Sequence, residues 1–487
     1  MRAIVVVAAV LVVTHLLQAP ERLRNATHDD AAIVGMWSGT ATAGTESAEV
    51  AVDIRRVKDG VGLFVTLPRL HAWRMPVGYL KRSANGGWEI ADWHVTLKRR
   101  GDTLVGELGD PRVMFELLRA DALPEEVPAP TYPDGPAPDW TYDAGAPLWA
   151  SVIALDGIAY AADARGTLHA VRSSDGSLVW KRELGSAFYG APLITTDALF
   201  AFNDAGILRK VDRKSGKDMW QAELGGDSSP RVLPAGDVFD FDYHAPAPML
   251  KDDIVYIASS AGVVHALGAA TGKPQWRVDV KARVRATVGV SSSQVFVGTL
   301  GNDLIALDRA SGAERWRFKA TGPVTSAPGV FGDLVLFGNR GSWITALHAA
   351  DGTPAWSRYD WFSWIESDGR FVDDVYYVGS SDLRAVRALD PKSGKPLWEV
   401  DVLGWAWGTP AVTRDTVYVG VAAPQKYVTR HAAGLVALDR KTGAVRWRRP
   451  VPLGESFVSG YTGSVAIEGN VLIAPNVSGR LEGYKLR

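Results

Sequence analysis

The chain contains no cysteine. This excludes disulfides, thiolate metal sites, cysteine nucleophiles, a covalently attached c-type haem and a lipid anchor on an N-terminal cysteine. An excess of charge is missing as well, since 53 Lys and Arg face 54 Asp and Glu for a formal net charge of -1. Without a basic field, neither nucleic acid nor an anionic membrane surface is an expected partner. His-Glu-x-x-His, Gly-x-Ser-x-Gly and the P-loop are absent too, which leaves zincin, α/β-hydrolase and nucleotide-hydrolase chemistry unsupported. Long hydrophobic runs are confined to the N-terminus, where Met1-Arg2 precedes an apolar stretch over 3–13 that extends to Ala19. Residues 1–19 read as a signal peptide or, because Pro20 adjoins the expected cut, as a short uncleaved anchor. A periplasmic or secreted protein is expected, with membrane attachment only through that anchor.

Tryptophan and glycine are plentiful, at 18 and 50 residues, and they are ordered. Trp140, Trp180, Trp220, Trp276, Trp316, Trp356, Trp398 and Trp447 follow one another at steps of 40, 40, 56, 40, 40, 42 and 49 residues. From Trp180 onward each ends the same phrase of Gly, three residues and Trp, beginning at Gly176, Gly216, Gly272, Gly312, Gly352, Gly394 and Gly443. Glycine supplies the positive φ of a tight hairpin, and the Trp falls on the strand after it. Short apolar strands precede each turn, such as Leu304-Ile305-Ala306-Leu307-Asp308, with another further upstream, such as Ile254-Val255-Tyr256-Ile257-Ala258. A unit of four short strands cannot bury both faces alone, so copies must stack, and radial stacking gives a β-propeller. The last copy, ending in residues 479–486, lacks a Trp strand, whereas Asp139-Trp140-Thr141-Tyr142 is a Trp strand with no unit before it. Pairing the two closes an eighth blade.

The repeated Gly-x-x-x-Trp turn after a Leu-x-Ala-Leu-Asp strand resembles the quinoprotein propellers, over residues 139–487. That family contains dehydrogenases using pyrroloquinoline quinone and a periplasmic lipoprotein propeller that helps assemble outer-membrane proteins. The expected fold is therefore all-β, an eight-bladed propeller of four-stranded blades. Ahead of it, residues 30–121 carry strand-like segments at 48–57, 62–67, 93–97, 104–108 and 113–118 and read as a small β-barrel or β-sandwich. Its opening Gly35-Met36-Trp37-Ser38-Gly39 resembles that of calycin barrels. Residues 122–138, with prolines at 124, 128, 130, 133, 136 and 138, read as an extended linker.

In a propeller the connections from each outer strand to the next inner strand converge at the axis. Here they carry Tyr189, Asp240, Asp242, Tyr243, His244, Arg283, Arg285, Trp361, Trp364, Glu366, Trp405, Trp407 and Tyr461. The long 56-residue step places its surplus in 225–249, and extra rim length commonly serves a site. Such a mixed aromatic and charged concavity suits a small molecule, a sugar or a protein partner, but aromatic plugging and internal ion pairing give the same residues a structural role. Asp240, Asp242 and His244 can converge on a hard cation, yet the EF-hand glycine and terminal glutamate are missing, so no metal is assigned.

Three functions follow. The first is an exported binding or scaffold propeller, expected to be monomeric. The second, implied by the resemblance, is a quinone dehydrogenase with Trp364 or Trp407 stacked on the quinone, Arg285 at its carbonyls and Asp240 or Asp242 as base. Its calcium has no evident Asn ligand in these loops, and its cap of adjacent cysteines is impossible. The third is a non-redox enzyme on sugars or aromatic substrates, with Tyr189, Tyr243, His244 or Arg285 moving protons. No catalytic residue is assigned.

Overall fold

The computed structural model describes residues 31–486, except 59, 92–93, 110–111, 227–230, 236–240 and 428. The hydrophobic N-terminal segment and Asp240 lie outside the described residues. Two compact units emerge, one comprising residues 31–130 with 358–363 and 426–430, the other comprising 131–357, 364–425 and 431–486.

In the first unit nine antiparallel strands form one sheet that curls into a nearly closed barrel, which decides between barrel and sandwich. The initial strand, Gly35–Ala43, pairs on one side with Glu46–Val57 and on the other with the last strand, Val113–Arg119, with Gly39 opposite Leu117. The ends of the sheet are Ala72–Tyr79 and Lys81–Arg82. Trp37 is fully buried beneath the opening, where its Nε1 donates to Ile33 O at 2.8 Å. The Arg119 guanidinium lies 4.2 Å over its ring and donates to Val34 O at 2.6 Å, tying the last strand to the first.

The second unit is the propeller. Six four-stranded blades run in sequence order, the seventh gains a fifth strand because Val458–Gly460 pairs with Thr416–Pro424, and the eighth joins Ala466–Glu468, Val471–Pro475 and Arg480–Lys485 to the early strand Trp140–Asp143. The closing register sets Trp140 opposite Gly483 and Tyr142 opposite Leu481, so the two orphan strands are partners, as their incompleteness requires.

The reason for the repeated phrase is visible at every blade boundary. Each turn glycine has positive φ, from 68° at Gly216 and Gly272 to 75° at Gly312 and Gly352. The indole of the preceding blade lies flat against it: a Cβ on Gly312 would stand 2.7 Å from the Trp276 ring, and one on Gly352 2.6 Å from Trp316. The same indoles donate onward through Nε1, Trp276 to Arg309 O and Trp316 to Ala349 O, each at 2.9 Å. Blade faces then mesh in pairs, as where Tyr256 and Val264 of the third blade pack with Val297 and Ile305 of the fourth.

The eighth blade has no hairpin turn, because the chain is interrupted there, yet Trp447 still needs a glycine. Gly135 supplies it from the proline-rich segment: its Cβ position is 2.5 Å from the Trp447 ring, its N–H donates to Arg448 O at 2.9 Å, and Arg448 N donates to Pro133 O at 2.8 Å. Residues from Thr131 onward group with the propeller unit.

This geometry separates two costs of adding a methyl group. Gly332 also has positive φ, at 59°, but nothing lies within 4 Å of its Cβ position. Gly332→Ala should cost about 1–2 kcal/mol from left-handed backbone strain alone, and Gly312→Ala should cost clearly more, because the ring must also move. Thermal melts of the two variants check this; equal losses would mean that the indole contact is immaterial.

Candidate functional site

All eight blade-to-blade connections reach one small cavity on the propeller axis, of about 70 Å³. They do so at equivalent places. Ser151, Thr287, Asp368, Thr409 and Ser464 each stand two residues before the inner strand of their blade. Four of these side chains, Ser151, Ser464, Thr287 and Asp368, accept backbone N–H groups from the same position of the preceding blade: Ser464 N to Ser151 Oγ at 2.9 Å, Thr409 N to Ser464 Oγ at 2.8 Å, Ala247 N to Thr287 Oγ1 at 2.9 Å and Ala327 N to Asp368 Oδ1 at 2.6 Å. The result is an interrupted belt of hydrogen bonds around the axis that fixes one blade to the next.

Above the belt, the long connection turns inward. Phe241 and Tyr243 are 5% and 2% exposed, and they insert among Trp364, Trp405 and Trp407. Trp405 and Trp407 stack at 4.4 Å, and Tyr243 stacks on Trp407 at 4.7 Å. Hydrogen bonds hold the stack in place, from Trp405 Nε1 to Asp382 at 2.9 Å and from Trp407 Nε1 to Ser381 Oγ at 3.2 Å. Burial pushes the Tyr243 phenol well above its ordinary range, so it stays neutral.

The charged residues pair with one another. Asp242 accepts from Arg285 Nε at 2.6 Å, and Arg283 and Arg231 approach it at 3.4 and 3.3 Å. Arg231 also pairs with Asp204, donates to His244 O at 2.5 Å and covers the Tyr189 ring at 4.2 Å, so it anchors the connection to which it belongs. Glu366 is completely buried. It accepts from Arg340 Nε at 2.6 Å and Thr325 Oγ1 at 3.2 Å, while His244 Nε2 lies 2.7 Å from its other oxygen. Burial alone would raise this carboxyl, but the charges of Arg340 and His244 outweigh it and bring the pKa down to about 2. Asp368 is shifted the other way: burial raises it, against the Ala327 N–H and the charge of His244.

A profile of the family described as outer membrane protein assembly factor BamB matches residues 135–262, 260–364 and 362–487. The chain belongs to this family. No curated protein matches the sequence significantly. Among solved structures, BamB from Moraxella catarrhalis superposes with a TM-score of 0.53 at 16% identity, covering 71% of this chain and 98% of that one. Quinohemoprotein alcohol dehydrogenase from Comamonas testosteroni gives 0.54 at 12% identity, covering 72% and 76%. The computationally designed Ika8 protein gives 0.59 at 14% identity, covering 72% and 100%. At these identities the structural likenesses establish the eight-bladed fold and nothing finer.

Of the residues singled out in the sequence, Tyr189, Tyr243, His244, Arg285, Glu366 and Trp407 line the axial cavity. Asp242, Arg283, Trp364 and Trp405 stand behind them, in the ion-pair and aromatic layers. Tyr461 contributes no wall: its hydroxyl donates to Glu482 at 2.5 Å and lies 3.2 Å from that of Tyr484. Trp361 does not reach the axis, because residues 358–363 belong to the barrel unit. Asp242 faces three arginines and His244 faces Glu366, so these two do not converge on a shared cation position. Arg340 and Arg231 escaped sequence reading. Arg340 occupies a hairpin inside the fifth blade, where only tertiary contact reveals its role. The recurrent Ser or Thr two residues before the inner strands was, by contrast, a readable signal.

Because the folded pKa of Glu366 lies below its ordinary 4.5, its stabilisation is complete above about pH 4.5 and is lost as pH falls toward 2. Glu366→Gln should lower stability at pH 7 by roughly 3 kcal/mol and flatten the acid limb between pH 4.5 and 2. Urea denaturation of both proteins across that range checks the sign; parallel pH profiles would show that the carboxylate is not ionised in the fold.

Proposed function

We propose that this chain is an exported binding or scaffold propeller that works by protein contact and carries out no chemistry at its axis. One observation bears most of the weight: the channel mouth is filled by the chain's own side chains. Tyr243 and Trp405 lie against Trp407, Arg285 is engaged by Asp242, and a cavity of about 70 Å³ is what remains. Pyrroloquinoline quinone, a rigid three-ring tricarboxylate, has no slot of its size there. The residues present therefore do not fit the quinone, and the carboxylates that calcium would need are held by arginine and histidine. A sugar substrate meets the same obstruction, and Tyr243 is too deeply buried to exchange protons with it.

The family match favours a protein partner, because the family is described as an outer membrane protein assembly factor. The apolar segment at 3–13 supports export. The absence of cysteine means that attachment through a lipidated cysteine is not available to this chain. The ion pairs of Asp242 with Arg285 and of Glu366 with Arg340 also fit this reading, since carboxylates held by arginine are not free to take a cation.

Two measurements test the proposal. Tryptophan fluorescence of the full chain titrated with pyrroloquinoline quinone, with and without calcium, should show no saturable change at micromolar concentration. Site-specific photocrosslinking from exposed propeller positions in the native host should yield a discrete protein adduct. Tight quinone binding that is abolished by Arg285→Ala would overturn the reading.

A further inference from the structure

Small barrels ordinarily fill their interior with side chains. This one falls short. A cavity of about 110 Å³ remains inside it, and every residue lining it is hydrophobic, with Val52, Leu63, Met75, Leu97, Phe115 and Trp361 drawn from all round the wall. Water in such a space has none of the two to four polar partners that an internal water requires. An apolar void of this kind is dry, and its lining forgoes dispersion contacts that any close-fitting hydrocarbon would restore. The volume lies somewhat below the ~150 Å³ of an engineered aliphatic cavity that admits benzene.

Two further features argue that the space is built. The sheet is not sealed, since Ala72–Tyr79 and Lys81–Arg82 are its unpaired ends, and Met75, Pro76 and Val77 of the first of these line the cavity. No ladder of hydrogen bonds joins these two edge strands. In addition, Trp361 and Phe362, from the 358–363 segment of the same unit, complete the wall with φ values of 43° and 62°. Two consecutive bulky aromatics in the left-handed region are strained, and such strain gathers at ligand clamps and switch regions. Extending that segment would relieve the strain, yet the chain keeps both rings against the void.

We propose that the barrel is a binding site for a compact uncharged hydrocarbon group, about one ring or a short aliphatic stretch in size. Nothing in the axial site of the propeller takes part. The occupant enters beside the Ala72–Tyr79 edge and is held by shape and dispersion alone, with no polar group to orient it.

Uptake of n-hexane and of benzene by the full chain, followed by headspace gas chromatography, tests this directly. Saturable binding of close to one equivalent of at least one probe is expected. Ala41→Leu and Leu63→Phe each place extra carbon inside the cavity, and each should weaken uptake at least tenfold; circular dichroism establishes which variant is folded and therefore counts. Non-saturable partitioning by the wild-type chain would overturn the proposal whatever the variants do. So would uptake undiminished in the filled, folded variants.

Discussion

The contact between an indole and a glycine of the next blade is the interaction on which the propeller depends. Glycine is demanded twice at that point, once because the hairpin needs positive φ and once because the ring occupies the space of a Cβ. The onward hydrogen bond from Nε1 to a carbonyl of the neighbouring blade fixes the angle between blades as well as their separation. Because the apolar clusters are shared between neighbours, no blade has a core of its own, and stability resides in the boundaries. Closure extends the rule. Where the chain is interrupted, a glycine from the proline-rich segment stands in for the missing turn, so the boundary between blades seven and eight is formed like the others.

Along the axis the same repetition has a different consequence. Equivalent positions bring hydroxyls and a carboxylate into a belt, while the unequal connection before the third blade delivers Phe241, Asp242, Tyr243 and His244 into the mouth. A charge buried there is tolerable only when it is paired. Asp242 with its arginines and Glu366 between Arg340 and His244 meet that condition, which is why Glu366 remains ionised despite complete burial. An axis paired and packed in this manner resembles a core more than an open channel.

The barrel shows the opposite balance. Its opening is tied by Trp37 and Arg119, and its wall is apolar throughout, yet its interior is incompletely filled. One unit therefore has a small cavity walled by mixed polar and aromatic groups, and the other has a cavity walled by apolar groups alone. Ligand chemistry follows accordingly, with the hydrocarbon site in the unit whose aliphatic wall gives the sequence no chemical landmark.

Local repetition made the propeller legible in the sequence alone. The Gly-x-x-x-Trp spacing, the four-strand unit and the two orphan strands depend only on short-range geometry, which residue identity encodes directly. Ring geometry likewise implies from the sequence that Tyr189, Tyr243, His244, Arg285, Glu366 and Trp407 approach one axis. Other matters were decided by tertiary structure. Trp361 is separated from Trp364 by two residues, yet left-handed backbone at 361 and 362 sends it into a different unit. Arg340 comes from a hairpin rather than a rim connection, and only its distance to Glu366 discloses the pairing. Whether the aromatic mouth is a pocket or a plug depends on ring separations of 4.4 and 4.7 Å, and whether the barrel is full depends on summed side-chain volumes. Periodicity in sequence reports which residues approach an axis, whereas ion pairing and cavity filling depend on ångström distances between residues that have no spacing relation along the chain.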